Sequence, residues 1–205
     1  MSTTVAEERA LDSKSIDTLF RQARTLRKWQ PRKVEPALLQ ELYNLLKLGP
    51  TASNLSPARF VFLTTEESKT RLLPHMWEGN REQTRTAPVV ALVAYDLEFY
   101  QKADKLTPKG NPEQVKARLQ NNPLMAEHLA KQSGTLQGAY LIMAARALGL
   151  DAGPMGGFDA DKINQEFFAG TSLRINFVCN LGYGERDSLH SRLARLDFEE
   201  AVTVL

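Results

Sequence analysis

Residues 134–150, GTLQGAYLIMAARALGL, restrict the fold more than any other stretch of the chain. Large apolar side chains at helical spacing leave almost no polar face, and a helix of that kind is stable only when most of its surface is covered. Small residues at 138, 139, 144 and 145 allow close approach of neighbours, and Gly149 ends the helix. The chain must therefore be organised around one central helix. Its 205 residues are enough for a single sizeable core, and no linker divides them.

What covers the helix is legible as strands. RFVFLT at 59–64, PVVALVAY at 88–95 and LRINFVCNLGYG at 173–184 read as buried strands, and DAGPMGGFD at 151–159 as a turn-rich strand end. Between the first two, TEESKTRLL carries a threonine cap and early glutamates that favour a short helix, and DADKINQEFF is a second amphipathic helix. Ile16, Leu19, Phe20 and Ala23 recur at helical spacing after Ser13 and Ser15. Leu38, Leu39, Leu42, Leu45 and Leu46 do so after Pro36. From 96 to 131 the chain turns polar and is cut by Pro108, Gly110, Pro112 and Pro123, which predicts a mobile helical excursion from the core. The polar start, residues 1–14, reads as a partly disordered leader without the features of a secretory signal, so a cytoplasmic location is expected. The end, SLHSRLARLDFEEAVTVL, is too apolar to hang free and should lie on another surface, which could be that of a second protomer.

Several chemistries are absent from the sequence. There is no GxxxxGK[ST], GxGxxG or GxSxG pattern. One cysteine, Cys179, sits in a strand, and His75, His128 and His190 are too dispersed for a zinc site. A formal charge of +2 without a basic stripe argues against nucleic acid, and no uncharged run approaches the roughly 18 residues that span a bilayer. Reactivity supplied by a bound organic cofactor becomes the attractive reading. ARTLRKW places Arg24 and Arg27 three apart at a helix end, with the Thr25 hydroxyl between them. Two guanidinium forks and a hydroxyl suit a phosphate, and a basic last turn that complements the helix dipole is the plainer alternative. GPTASNLSPARFVF, 49–62, gathers hydroxyl, carboxamide and proline residues in one loop, more chemistry than a connector requires.

In order along the chain, RTLRKW, GPTASNLSPARFVF, GLDAGPMGGFD, NLGYG and SRLARL resemble the motifs of the flavin-dependent nitroreductase family over roughly residues 15–200, and most nearly its malonic semialdehyde reductase branch. That resemblance implies an α+β, three-layer fold whose central, mostly antiparallel sheet is flanked by helices. It also implies an intertwined homodimer with FMN at the interface and chain ends exchanged. Residues 15–205 would be one FMN-binding domain. Arg24, Thr25 and Arg27, joined by Arg192, would hold the FMN phosphate and ribityl end. Pro50, Thr51, Ala52, Ser53 and Asn54 would approach the flavin from the partner, and Pro154, Met155, Gly156 and Gly157 would run along its ring. Asn80 and Gln137 are candidates for the flavin edge. Hydride would be carried by FMN from NADPH or NADH to a small-molecule acceptor, with no catalytic side chain required. Malonic semialdehyde is the acceptor the branch implies, with nitro compounds, quinones or enones as the alternative, and a flavin storage or sensor module as the non-enzymatic one.

Two departures from the broader family pattern bear on substrate. Ala58 and Arg59 follow Pro57 where many members have tryptophan, and Gly156 stands where glutamate is frequent. Arg59 could meet a substrate carboxylate or serve as a structural surface arginine.

Overall fold

The structure is a computed structural model that describes residues 10–189 and 191–205. The expected leader lies, through residue 9, outside the described residues, as does His190. Among the described residues four strands form one antiparallel sheet: β1 (Ala58–Leu63), β2 (Val89–Asp96), β3 (Asp151–Met155) and β4 (Leu173–Gly182), in the order β1-β2-β4-β3. Among the described residues nine α-helices accompany it: α1 (Ser13–Ile16), α2 (Pro36–Leu46), α3 (Glu66–Leu72), α4 (Glu78–Thr86), α5 (Ala103–Leu106), α6 (Pro112–Gln120), α7 (Pro123–Ala147), α8 (Ala160–Phe168) and α9 (Phe198–Ala201).

Strand β2 explains the layering. All its residues but Asp96 are buried, and they alternate between two cores, as a pleated strand covered on both faces must. Val90, Leu92 and Ala94 join Leu72, Met76, Ile163 and Phe168 on the face covered by α3, the following turn and α8. Val89, Ala91 and Val93 join Leu42, Leu46, Leu141 and Ala145 under α2 and α7. Helix α7 lies close on the sheet because a Cβ at Gly138 would stand 2.4 Å from the Phe177 ring and 3.3 Å from Val93. Pro154, which cannot donate to a ladder, is accommodated because β3 is an edge strand: it lies opposite Cys179 of β4, and the bridge on the outer edge is made by Ala152 instead.

Two expectations change. The central helix runs from Pro123 rather than from about 134, because proline occupies its first position and Asn122 accepts from Met125 N–H at 3.1 Å as the cap; the residue expected to break the chain opens the helix. The last part of the expected 96–131 excursion is thus the start of α7. The N-terminal helix stops early: α1 passes into one π-helical turn, Asp17–Arg21, and 23–29 is extended. Every third residue there is buried, Ala23, Leu26 and Trp29, and Thr25 forms a parallel bridge with Ala152. Arg24 and Arg27 therefore stand on a strap along the outer edge of β3, not on a helix end.

Among the described residues, no helix is long and apolar enough to cross a membrane, and no group of three His, Cys, Asp or Glu could hold a metal ion.

Candidate active site

The strap, the end of α7 and the C-terminal tail enclose a basic cleft of about 560 Å³. It brings together four expected residues, Arg24, Thr25, Arg27 and Arg192, with Lys28, Arg146 and Arg195, and no acidic residue among the described ones lines it. Arg192 is held by donating to the carbonyls of Arg21 and Ala23, at 2.7 and 2.8 Å. Arg146 donates to Leu19 O at 2.8 Å. Burial holds the Arg146 guanidinium below its ordinary pKa, and the nearby Arg192 charge pushes the same way, so an anion in the cleft would relieve both.

Arg146 was not among the expected residues. Its signal was present all the same: one guanidinium within an otherwise apolar helix must meet a carbonyl, an acid or a ligand.

A second groove, about 350 Å³, is lined by Pro154, Met155 and Gly156 of the β3 end, by Phe177, and by Thr135, Ala139 and Ile142 of α7. Thr135, Ala139, Ile142 and Arg146 form a single stripe at spacings of four, three and four, so one helix face lines both cavities over about 16 Å at 1.5 Å per residue. On the sheet side, Thr25 beside Ala152 marks the basic end and Gly156 the apolar end. A Cβ at Gly156 would meet nothing within 4 Å, so the space above this backbone is open to a ligand. Gly157 lies behind it and is crowded: a Cβ there would sit 2.4 Å from Asn80 Nδ2 and 3.0 Å from the Trp77 ring. Asn80 Nδ2 donates to Gly157 O at 3.0 Å, and Trp77 N–H donates to the same carbonyl at 3.0 Å. Asn80 thus supports the glycine strip and is itself anchored by Gln83 Nε2 at 2.7 Å.

The expected loop and Gln137 do not join these cavities within one chain. The loop is pinned to α7 by Ser133 Oγ, which accepts from Ala52 N–H at 3.2 Å, and by the Tyr140 hydroxyl, which donates to Pro50 O at 2.9 Å. Gln137 Oε1 accepts from Ala58 N–H at 2.8 Å. Thr51 Oγ1 accepts from Ser56 N–H at 3.1 Å, and Ser53, Asn54 and Ser56 are left-handed, with φ of 51°, 56° and 42°. Three such residues within four positions, interrupted only by the right-handed Leu55, are costly and persist only where the surroundings dictate them. Ser133, Gln137 and Tyr140 form their own stripe, about 200° around α7 from Thr135, Ala139, Ile142 and Arg146 at 100° per residue. Loop and groove lie on opposite sides of the helix.

These features define an elongated receptor with several cationic groups at one end and an apolar groove at the other, on a three-layer α+β frame. The Nitroreductase family model matches residues 20–183, and the chain belongs to that family. A Stenotrophomonas maltophilia protein named as a candidate NADH dehydrogenase/NAD(P)H nitroreductase is 50% identical over 195 residues, 95% of this chain and 98% of its own length. The fold is similar to that of a candidate nitroreductase from Bacillus subtilis, with a TM-score of 0.85, 19% identity, and coverage of 95% of this chain and 100% of that one. It is also similar to a candidate nitroreductase from Exiguobacterium sibiricum in complex with FMN, with a TM-score of 0.80, 22% identity, and coverage of 96% and 98%.

Proposed function

We propose that this chain is an FMN-dependent oxidoreductase that uses NAD(P)H to reduce a small carbonyl acceptor, malonic semialdehyde, to 3-hydroxypropanoate, and that it works as a homodimer. The observation that carries the cofactor is the α7 stripe from Thr135 to Arg146: one helix face serves an apolar groove and a basic cleft in line, matching a flat ring joined to a phosphate. Bound FMN would supply the two-electron chemistry, accepting hydride from the nicotinamide and returning it to the acceptor.

The chain's part is to bind, orient and shield. Arg24, Arg27, Arg146 and Arg192 offer charge-assisted hydrogen bonds to a phosphate, and Thr25 adds a hydroxyl. The open space over Gly156 permits close approach of a planar ring to the backbone, while Asn80 holds the strip beneath it. Reducing the aldehyde consumes one hydride and one proton, and water can deliver the proton to the alkoxide oxygen. No acidic or basic side chain is needed for the hydride step.

The dimer is supported by two features. A loop on the far side of α7 from its own groove reaches an equivalent groove only on another copy. The tail 191–205 is exposed throughout in the single chain, including Leu193, Leu196, Phe198 and Val204, an apolar arm that a second subunit would cover. Pro50 to Asn54 would then complete the partner's site. A broader nitro or quinone reductase is the second reading, and the nitroreductase name of the Stenotrophomonas relative favours its nitro activity. The absorption spectrum of the purified protein and anaerobic titration with NADH and NADPH test the cofactor and donor. A colourless protein that cannot be reconstituted defeats the proposal, and a yellow one that neither nicotinamide bleaches is a flavin store or sensor. Steady-state comparison of malonic semialdehyde with menadione and a nitroaromatic decides the acceptor.

A further inference from the structure

A third cavity, about 930 Å³, opens between α2, β1 and the segment 99–106. Its walls carry four cations, Lys47, Arg59, Lys102 and Lys105, and no acidic residue among the described ones. Two of the four are engaged. Arg59 Nη2 pairs with Asp96 at 2.7 Å and Nη1 donates to the carbonyls of Ser56 and Ala58 at 3.0 and 2.9 Å, so it is a structural arginine. Lys47 donates to Asn44 Oδ1 at 2.8 Å and lies over the Tyr43 ring.

Lys102 and Lys105, three apart on adjoining turns, have no partner among the described residues. The one acid between them, Asp104, is taken by Lys116 of α6. The cavity that Lys102 and Lys105 line is also lined by Phe60, Phe62 and Leu106, so a small anion entering it would be partly withdrawn from water, which strengthens its attraction to the lysines. This segment is fastened to the loop: Asn54 Nδ2 donates to Leu106 O at 2.8 Å.

We infer that Lys102 and Lys105 receive the carboxylate of the acceptor and set the preference for an anionic over a neutral carbonyl compound. The inference rests on the arrangement proposed above, in which loop 50–54 of one chain meets the groove of the other. The Asn54 to Leu106 bond then places the two lysines at the mouth of that shared site, and the carboxylate held there leaves the aldehyde carbon directed inward.

The test compares holoenzyme and the K102A/K105A variant on malonic semialdehyde and on propanal, which has a methyl group in place of the carboxylate. The ratio of kcat/KM for the two aldehydes is expected to fall about tenfold or more, the factor equivalent to roughly 1.4 kcal/mol, through a higher KM for the anionic one. The K102R/K105R variant keeps most of the ratio. An unchanged ratio in the alanine variant overturns the inference, as does a loss confined to NADPH. Calorimetric titration with malonate, which cannot be reduced, gives a readout free of turnover: binding to the wild type that disappears in K102A/K105A supports the lysine site, and equal binding to both overturns it. A protein that never retains FMN sinks the function proposed above instead, and the malonate titration still decides the lysines.

Discussion

Asn80 donates its side-chain amide to the carbonyl of Gly157 at 3.0 Å, and the Gly157 α-carbon is packed so tightly against that amide and the Trp77 ring that no methyl group fits. One residue earlier, Gly156 faces open space. Two consecutive glycines thus have different reasons to be glycine.

Replacing each with alanine should separate those reasons. Gly157→Ala is expected to cost about 1–3 kcal/mol of stability through overpacking. Gly156→Ala should leave the apo-protein's melting temperature near the wild type while weakening FMN binding, because its methyl group enters the groove. Thermal unfolding and fluorescence titration of the apo-protein with FMN measure the two effects.

Arg146→Met should raise the Kd for FMN about tenfold to a hundredfold, the range of one lost hydrogen bond to a charged group of about 1.5–3 kcal/mol. Binding of riboflavin, which lacks the phosphate, should change little. Equal losses for the two flavins would place Arg146 in the scaffold of α7 rather than at the phosphate.

Cys179 is fully buried, and burial pushes its thiol up to about 12 from an ordinary 9.0. At pH 8 it should resist iodoacetamide in the native protein and react completely in guanidinium. Between pH 9 and 12 the unfolded chain has released the proton that the native chain retains, so unfolding is favoured as pH rises through that window. Cys179→Ala should flatten this part of the stability profile, read by denaturant titration at each pH.

Lys69 is a buried cation, 5% exposed, whose Nζ donates to Arg85 O and Ala87 O at 3.0 and 3.1 Å and pairs with Glu66 at 2.6 Å. It closes the C-terminal end of α4, where carbonyls lack helical partners. Lys69→Met keeps the aliphatic stem and should still cost about 1–3 kcal/mol in equilibrium unfolding, since one buried and one half-buried carbonyl lose their donor.

Deleting residues 198–205 should convert a dimer into monomer in sedimentation analysis if the exposed apolar tail is the arm that a second subunit covers. A truncated protein that still sediments as a dimer would locate the interface elsewhere.

The frame of the molecule could be read from the sequence because its signals are local. PVVALVAY announces a strand apolar on both faces, and GTLQGAYLIMAARALGL a helix that cannot stand in water. The basic motif was legible in composition but not in shape: Arg24 and Arg27 lie on an extended strap because Ala23, Leu26 and Trp29 pack every third residue and Thr25 meets Ala152, a contact 127 positions away in sequence. Pro123 reads equally as a breaker or an opener, because proline both breaks a helix from within and begins one, and only the Asn122 cap distinguishes the cases. Lys102 and Lys105 could not be found beforehand, since their freedom depends on Lys116 drawing off Asp104 and on Asn54 reaching Leu106.

Because Thr135 and Arg146 share one screw line on α7, the length of that helix is locked. A single inserted or deleted residue between them would swing one end of the receptor about 100° away from the other, whereas a change of seven or eleven residues would nearly restore the alignment. Sequence drift between these two positions is therefore confined to substitutions or to length changes of whole turns, whereas loops outside α7 carry no such phase constraint.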